Sequence, residues 1–145
     1  MIDLPTQAGR ALIAAGGTGG HVYPALAVAG RLLDSGWSVD WVGTERGIEQ
    51  RLVPAAGIPL HHLSVSGMRG KSLLARGLGA FRLLRAVMES LAVIRRVKPD
   101  VVLGMGGYAA GPAGMAAWLT RCPLVIHEQN AVAGTTNRLL APLAR

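Results

Sequence analysis

Ala14-Ala15-Gly16-Gly17-Thr18-Gly19-Gly20-His21 places four glycines around one threonine, directly after the apolar run Ala11 to Ala15. That run predicts a buried strand, and the segment that starts at Tyr23 predicts a helix. A glycine turn between a strand and a helix leaves backbone N–H groups free beside the positive end of the helix dipole. The stretch therefore favours a phosphate-binding loop over a turn that needs glycine for packing alone. His21 is either a capping or surface residue, or a group that exchanges a proton near neutral pH.

Short apolar strands alternate with helices along the rest of the chain. The expected strands are Arg10–Ala14, Trp37–Val42, Leu60–Val65, Asp100–Leu103 and Leu124–His127. The expected helices are Tyr23–Ser35, Gly47–Ala56, Ser72–Val97 and Pro112–Arg121, and another begins over Thr135–Ala141. This alternation predicts an α/β fold, a Rossmann-like parallel sheet with helices on both faces, in which ligands bind at the carboxyl ends of the strands.

Composition narrows the class of protein. The 145 residues fit one domain, and 15 Lys and Arg against 8 Asp and Glu give a net charge of +7, which attracts anionic partners. Nucleic acid is disfavoured as a partner, because only 4% of the residues are aromatic. Cys122 is the single cysteine, so an internal disulfide is excluded, and no zinc or calcium motif is present. The N-terminus does not resemble a signal peptide, which favours the cytoplasm.

An uncharged stretch of 19 residues, from Val101 to Leu119, has the length of a membrane span. It contains five glycines and Pro112, which interrupt a continuous helix. A strand, a glycine loop and a helix explain this stretch better than a membrane-spanning helix does.

Two more strand ends carry unusual residues. Gly104 to Pro112 contains Gly106, Gly107 and Tyr108 before the next expected helix, and this second glycine loop would suit a diphosphate or simply pack around a buried tyrosine. His127-Glu128-Gln129-Asn130 follows the last strand. Glu128 could act as a general base, hold a histidine in one tautomer, or cap the next helix.

The expected helix Ser72–Val97 has two apolar stripes. Leu73, Ala80, Leu84, Val87, Leu91 and Ile94 share one face and form the predicted core stripe. A second stripe gathers apolar side chains bordered by arginines: Leu74, Leu78, Phe81, Arg82, Arg85 and Arg96. This pattern suits the surface of an anionic membrane, a wide buried face or contact with another domain.

Four motifs together resemble the MurG family, the bacterial N-acetylglucosaminyltransferases that complete the lipid-linked disaccharide precursor of peptidoglycan. They are Gly16–His21, Ser66–Lys71, Pro99–Tyr108 and His127–Asn130. The resemblance covers essentially the whole chain but only the N-terminal half of the family. It implies residues 1–145 as the acceptor-binding and membrane-associating domain of a two-domain, B-type glycosyltransferase, with the donor-binding C-terminal domain absent from this chain.

The resemblance also implies partners and site residues. UDP-GlcNAc would contact Thr18, Gly19, Gly20 and Asn130. The acceptor, undecaprenyl-diphosphate-MurNAc-pentapeptide, would place its diphosphate on the two glycine loops, at Gly16, Gly17, Gly106, Gly107 and Tyr108. The second stripe, with Leu74, Leu78, Phe81, Arg82 and Arg85, would bind the anionic lipids of the cytoplasmic face of the inner membrane.

The implied reaction is an inverting displacement that needs no bound metal or other cofactor. The MurNAc 4-hydroxyl attacks the anomeric carbon of GlcNAc and expels UDP. His21 is the first candidate for the base, Glu128 the second, and His127 a possible orienting group. Alone, the chain is expected to be inactive.

Two other readings compete with this one. A nicotinamide-dependent oxidoreductase needs Gly-x-Gly-x-x-Gly, but Val22 stands where the third glycine belongs. A lipid-diphosphate-binding module, or one subunit of a split transferase, remains an alternative.

Overall fold

Five parallel strands form one sheet in the computed structural model, which describes residues 7–65 and 72–145. The strands are β1 (Gly9–Ala14), β2 (Trp37–Thr44), β3 (Leu60–Leu63), β4 (Val101–Gly104) and β5 (Leu124–Ile126). The helices are α1 (Gly19–Asp34), α2 (Glu49–Ala55), α3 (Leu73–Val97), α4 (Ala110–Leu119) and α5 (Thr135–Leu140), followed by a 3₁₀ turn at Ala141–Leu143. The expected α/β class is confirmed.

The strand order, β3-β2-β1-β4-β5, decides where a ligand can enter. From β1 the chain moves outward through β2 to β3, and then returns to place β4 on the other side of β1. The connections after β1 and β4 therefore leave the sheet in opposite directions and open a crevice between them. The two glycine loops predicted from the sequence follow these two strands.

Helices cover both faces of the sheet, as expected. One buried cluster joins Leu12 and Val102 of the sheet to α3, α4 and α5. The other joins Ile13 and Trp41 to α1 and α2. Leu12 and Ile13 are neighbours in β1, and their side chains therefore pack into the two helical layers on opposite faces of the sheet.

Two helices begin earlier than the sequence predicted. Helix α1 starts at Gly19 rather than Tyr23, because Thr18 has the extended backbone of an N-cap residue and the helix continues through both glycines. His21 therefore lies on the first turn of α1 instead of at the end of a loop. Helix α4 starts at Ala110 rather than Pro112, so that Pro112 occupies the first turn, where a missing N–H costs nothing.

The predicted core stripe of α3 is only half right. Val87 and Ile94 are buried, but Leu73, Ala80 and Leu84 are exposed. The α3 residues that pack in the same cluster as the sheet come from its last turns, namely Val93, Ile94 and Val97. The buried positions nearer its start are small residues, such as Gly79 and Ala86. The exposed residues match the hydrophobic period of a helix, but they have no layer of the sheet beneath them. The motif Ser66–Lys71, which precedes α3, lies outside the described residues.

Within the described residues no helix is both long and apolar enough to cross a membrane. Val101–Leu119, the uncharged stretch, forms β4, a glycine loop and α4, as expected.

A buried carboxylate, that of Glu49, holds the first glycine loop in place. Glu49 is fully buried at the start of α2, and its Oε1 accepts hydrogen bonds from the Thr44 N–H and hydroxyl, both at 2.8 Å. Its Oε2 accepts the Gly17 N–H at 3.0 Å. One carboxylate thus ties the end of β2 to the loop after β1.

Glycines leave the space that this carboxylate fills. A Cβ at Gly43 would come within 2.7 Å of the Glu49 Cγ, and one at Gly16 within 2.5 Å of Oε1. A side chain at Gly47 would also overlap the carboxylate. Three of the glycines in this region are therefore explained by packing around Glu49.

Replacing Glu49 by Gln tests this arrangement. Glutamine keeps one acceptor oxygen, but its NH₂ group must face either Gly17 or Thr44, whose N–H groups then lose their partner. An unsatisfied buried donor costs roughly 1–3 kcal/mol. We expect Glu49→Gln to lower the free energy of unfolding by that amount in urea denaturation. The exposed Glu45→Gln is the matched control and should change it little; equal effects of the two substitutions would contradict the assignment.

Candidate active site

The carboxyl ends of β1, β4 and β5 open onto one cavity of about 270 Å³. The predicted site residues that line it are Gly16, Gly17, Thr18, His21, Gly106, Gly107, Tyr108, Glu128 and Asn130. Gly134, Thr135, Thr136 and Asn137, from the start of α5, complete the lining. Three motifs, the first of which is far from the other two in the sequence, therefore meet at the crevice that the strand order creates.

Close approach of the two glycine loops explains their glycines. Gly17, Gly106 and Gly107 have φ angles of +93°, +98° and +83°, which favour glycine. A side chain on Gly107 would overlap the carbonyl of Gly16, so the two loops pack backbone against backbone. The Met105 N–H, which donates to Ala14 O at 2.9 Å, holds the loops at this spacing.

The geometry also changes which groups of the first loop can hold an anion. The Gly17 N–H donates to Glu49 and is therefore not available to a ligand. The first N–H groups of α1 have no helical partners, because no turn precedes them. The first of these N–H groups is that of Gly19, which directly follows Thr18, a residue that lines the cavity. Gly19 and Gly20 thus belong to the first turn of the helix, beside the lining residues.

His21 lies where the three strand ends converge. Its ring packs against Gly106, where even a Cβ atom would overlap the imidazole. The side-chain amide of Gln129, from the segment after β5, lies 2.6 Å from the His21 Nδ1. His21 is thus held between the second and third strand ends while its own backbone belongs to the first.

The orientation of the Gln129 amide controls the tautomer of His21. Where the amide NH₂ donates to Nδ1, the proton of neutral imidazole lies on Nε2. Where the amide is rotated by 180°, Oε1 accepts from Nδ1–H and the Nε2 lone pair is free. The two orientations have nearly the same shape. With the NH₂ group toward Nδ1, the Gln129 Oε1 is buried without a hydrogen-bond partner among the described residues.

Glu128 organises the segment that leads to α5. One carboxylate oxygen accepts from the N–H and the Nδ2 of Asn130, at 3.0 and 2.8 Å. The other accepts from the Gly134 N–H at 2.9 Å and the Asn137 Nδ2 at 3.0 Å. The backbone N–H groups of Gly134 and Asn130, with smaller help from the two side chains, lower the pKa of Glu128 to about 2. A carboxylate with four donors and a low pKa is a weak proton acceptor.

The remaining predicted residues differ in exposure. Tyr108 is exposed at the rim of the cavity. The exposed His127 donates its backbone N–H to Gly104 O at 2.9 Å and thereby joins β5 to β4. The side chain that lies within hydrogen-bond distance of the His21 ring is that of Gln129, and the orienting role of His127 stays a prediction.

The sequence-based prediction missed three contributors to the site, namely Glu49, Gln129 and Asn137. Glu49 was not singled out because one acidic residue at the start of a helix is ordinary, although Gly43 and Gly47 shortly before it were a usable signal. Asn137 is buried and donates to both His127 O and Glu128. Its role depends on the folded path after β5, which no local pattern shows.

Fold and site together define a Rossmann-like domain with a crevice between two glycine loops and a histidine on the first turn of the first helix. The chain belongs to glycosyltransferase family 28: the model of the "Glycosyltransferase family 28 N-terminal domain" matches residues 11–145. The expected glycosyltransferase fold is therefore confirmed.

Curated relatives agree with this assignment. A protein of Alkalilimnicola ehrlichii is 63% identical over 134 residues, which are 92% of this chain and 38% of that protein. One of Pseudomonas aeruginosa PAO1 is 58% identical over 137 residues, which are 94% of this chain and 38% of that protein. Both are named UDP-N-acetylglucosamine--N-acetylmuramyl-(pentapeptide) pyrophosphoryl-undecaprenol N-acetylglucosamine transferase. The chain thus spans less than half the length of these relatives.

Solved structures match the same region. The crystal structure of Acinetobacter baumannii MurG superposes with a TM-score of 0.84 at 42% identity, over 94% of this chain and 40% of that one. The Neisseria meningitidis UDP-GlcNAc 2-epimerase bound to UDP-GlcNAc has a TM-score of 0.63 at 17% identity, over 93% of this chain and 39% of that one. At that identity the likeness shows the fold alone.

The low pKa of Glu128 can be measured directly. Because it lies below the ordinary value of 4.5, the order that Glu128 gives to this segment is complete above about pH 4.5 and is lost as the pH falls toward 2. We expect an NMR titration to give a midpoint near pH 2 for the Glu128 carboxyl group. The amide signals of Asn130 and Gly134 should shift with the same midpoint. Asn137→Ala should raise the midpoint, and a midpoint near 4.5 in the parent chain would contradict the network.

Proposed function

We propose that this chain is the acceptor-binding half of an inverting N-acetylglucosaminyltransferase. The enzyme would move GlcNAc from UDP-GlcNAc to the 4-hydroxyl of MurNAc in undecaprenyl-diphosphate-MurNAc-pentapeptide, on the cytoplasmic face of the inner membrane. The names of the curated relatives support the substrates. The observation that carries the proposal is that three strand ends, with two glycine loops and His21, line one crevice.

The acceptor diphosphate is proposed to bind across the two loops. Positive φ at Gly106 and Gly107 lets the second loop pack closely against the His21 ring and the Gly16 backbone beside the crevice, and the first turn of α1 adds its dipole. The donor is proposed to contact Thr18 and Asn130 at the rim, with most of its binding supplied by a second domain. Relatives more than twice as long as this chain support that division.

His21 is proposed as the general base. In the displacement, the MurNAc 4-oxygen bonds to the anomeric carbon as the bond from that carbon to UDP breaks. The hydroxyl proton passes to the His21 Nε2, and Gln129 presents its Oε1 to Nδ1–H and so stabilises the imidazolium. Glu128 is the poorer choice, because four donors already occupy its oxygens. Its proposed role is to hold Asn130 and the start of α5 in place.

Substitutions at His21 and Gln129 test these roles in the chain mixed with the donor-binding half of a relative. We expect no UDP release from the chain alone and release on mixing. His21→Ala should lower turnover by about 10²–10⁴-fold, the usual contribution of a general base. Gln129→Glu should move the acidic limb of the pH–rate profile to higher pH, because a carboxylate stabilises the imidazolium.

Two results would contradict this scheme. Full turnover by His21→Ala would exclude His21 as the base. Turnover by the unmixed chain would show that the reaction does not need a separate donor-binding domain. Gln129→Leu is the matched control for Gln129→Glu, since it keeps the size of the side chain without accepting a hydrogen bond.

The second stripe of α3 is proposed to bind the membrane. Leu74 and Phe81 expose 76% and 64% of their surface, and Leu78 lies beside them. Arg82 and Arg85 are also exposed, although Arg85 pairs with Glu89 at 3.0 Å. Leu78, Phe81, Arg82 and Arg85 border a depression next to Glu45, Arg46 and Ser64, which follow β2 and β3. The stripe therefore lies toward the edge of the sheet that holds the site.

Vesicle flotation tests the membrane proposal. Each charge near an anionic surface contributes about 1 kcal/mol, so Leu74→Glu/Phe81→Glu should weaken binding to anionic vesicles at least about tenfold. Leu33→Glu/Val132→Glu changes two apolar residues away from the stripe, also exposed, and is the control. Equal flotation of the parent and the stripe variant would remove α3 as the membrane contact.

A further inference from the structure

A second cavity, of about 360 Å³, opens beside the crevice between α3, α4 and α5. We call it the apolar groove. Its walls include the exposed Leu83, Met115 and Leu139, and the buried Leu140. Monomeric proteins seldom leave a concave apolar surface open to water without a ligand. The groove therefore calls for an apolar occupant.

The groove is continuous with the candidate active site. Tyr108 and Thr136 line both cavities, so one wall is shared between the polar crevice and the apolar groove. Tyr108 belongs to the second glycine loop and Thr136 to the first turn of α5. A ligand that enters both cavities must carry an anionic group bonded directly to an apolar chain.

We propose that the apolar groove binds the first isoprene units of a polyprenyl diphosphate whose diphosphate lies on the glycine loops. This inference rests on the proposed function and adds to it the location of the lipid chain. In such a ligand the allylic carbon is bonded to the diphosphate oxygen, so the chain must leave the polar crevice at once. Arg82 also lines the groove and adds a cation to its wall.

The groove also separates two lipid contacts on α3. Gly79, Leu83 and Val87 line the groove, Leu78, Phe81 and Arg85 border the depression, and Arg82 lies between the two and lines both. A prenyl chain in the groove would therefore contact apolar residues of α3 other than those with which the membrane stripe binds lipid. The two contacts can be removed independently by substitution.

Binding of two soluble probes tests the inference. Inorganic diphosphate reports the polar crevice alone, and farnesyl diphosphate, used below its micelle concentration, reports the crevice and the groove together. Burying as few as two methylene groups is worth about tenfold in affinity. We expect farnesyl diphosphate to bind at least about tenfold more tightly than diphosphate in calorimetry.

A groove-filling substitution assigns that difference to the groove. A Cβ at Gly111 meets only the Thr136 Cγ2, at 3.6 Å, an ordinary contact, so Gly111→Leu should fold and fill the groove. In this variant the affinity for farnesyl diphosphate should fall close to the affinity for inorganic diphosphate. The affinity for inorganic diphosphate should stay unchanged. Gly30→Leu, at a helix glycine with open space on the other face of the sheet, is the matched control and should keep the difference.

The outcomes separate this inference from the proposed function. If neither probe binds, the proposed diphosphate site fails. If both bind equally to the parent chain, the diphosphate site stands and the groove inference is overturned, as it is if Gly111→Leu keeps the full difference. Should circular dichroism show that Gly111→Leu is unfolded, Leu139→Asn takes its place, because Leu139 is 72% exposed and lines the groove.

Discussion

A single buried carboxylate holds the site together. Glu49 lies in the space left by Gly16, Gly43 and Gly47, and accepts hydrogen bonds from both the end of β2 and the loop after β1. A buried charge is tolerated only when donors surround it. Glycines that resemble a phosphate-binding loop in the sequence thus partly serve to leave space for the Glu49 side chain. The hydrogen bonds of Glu49 hold the loop after β1 in the conformation that leads to Thr18 and His21.

The strand order brings motifs that are distant in the sequence together beside the loop that Glu49 holds. Because β4 returns to the side of β1 opposite β2, the second glycine loop meets the first at the crevice between them. The segment after β5 then adds Gln129, Asn130 and the Glu128 network. Glu128 is the charged side chain among the described lining residues, so an anion bound here would depend on backbone N–H groups and on the His21 imidazole. Such a site suits a ligand whose charge lies on phosphates.

The sequence predicted the parts of the molecule that local pattern controls. Glycine loops after apolar strands located both halves of the crevice, and the alternation of strands and helices predicted the layers. What it missed depends on tertiary context. The start of α1 at Gly19 runs against glycine propensity, and the exposure of Leu84 follows from where the sheet ends beneath α3. The contact of Gln129 with His21 joins residues 108 positions apart, so no spacing rule could show it.

We propose one anion-binding crevice between the ends of β1 and β4. Its test is to map the backbone N–H signals of the ¹⁵N-labelled chain during addition of inorganic diphosphate. We expect saturable shifts at Thr18, Gly106, Gly107 and Tyr108, with the His21 ring signals moving at the same concentrations. Shifts confined to the arginines of α3, or none at these loops, would contradict it.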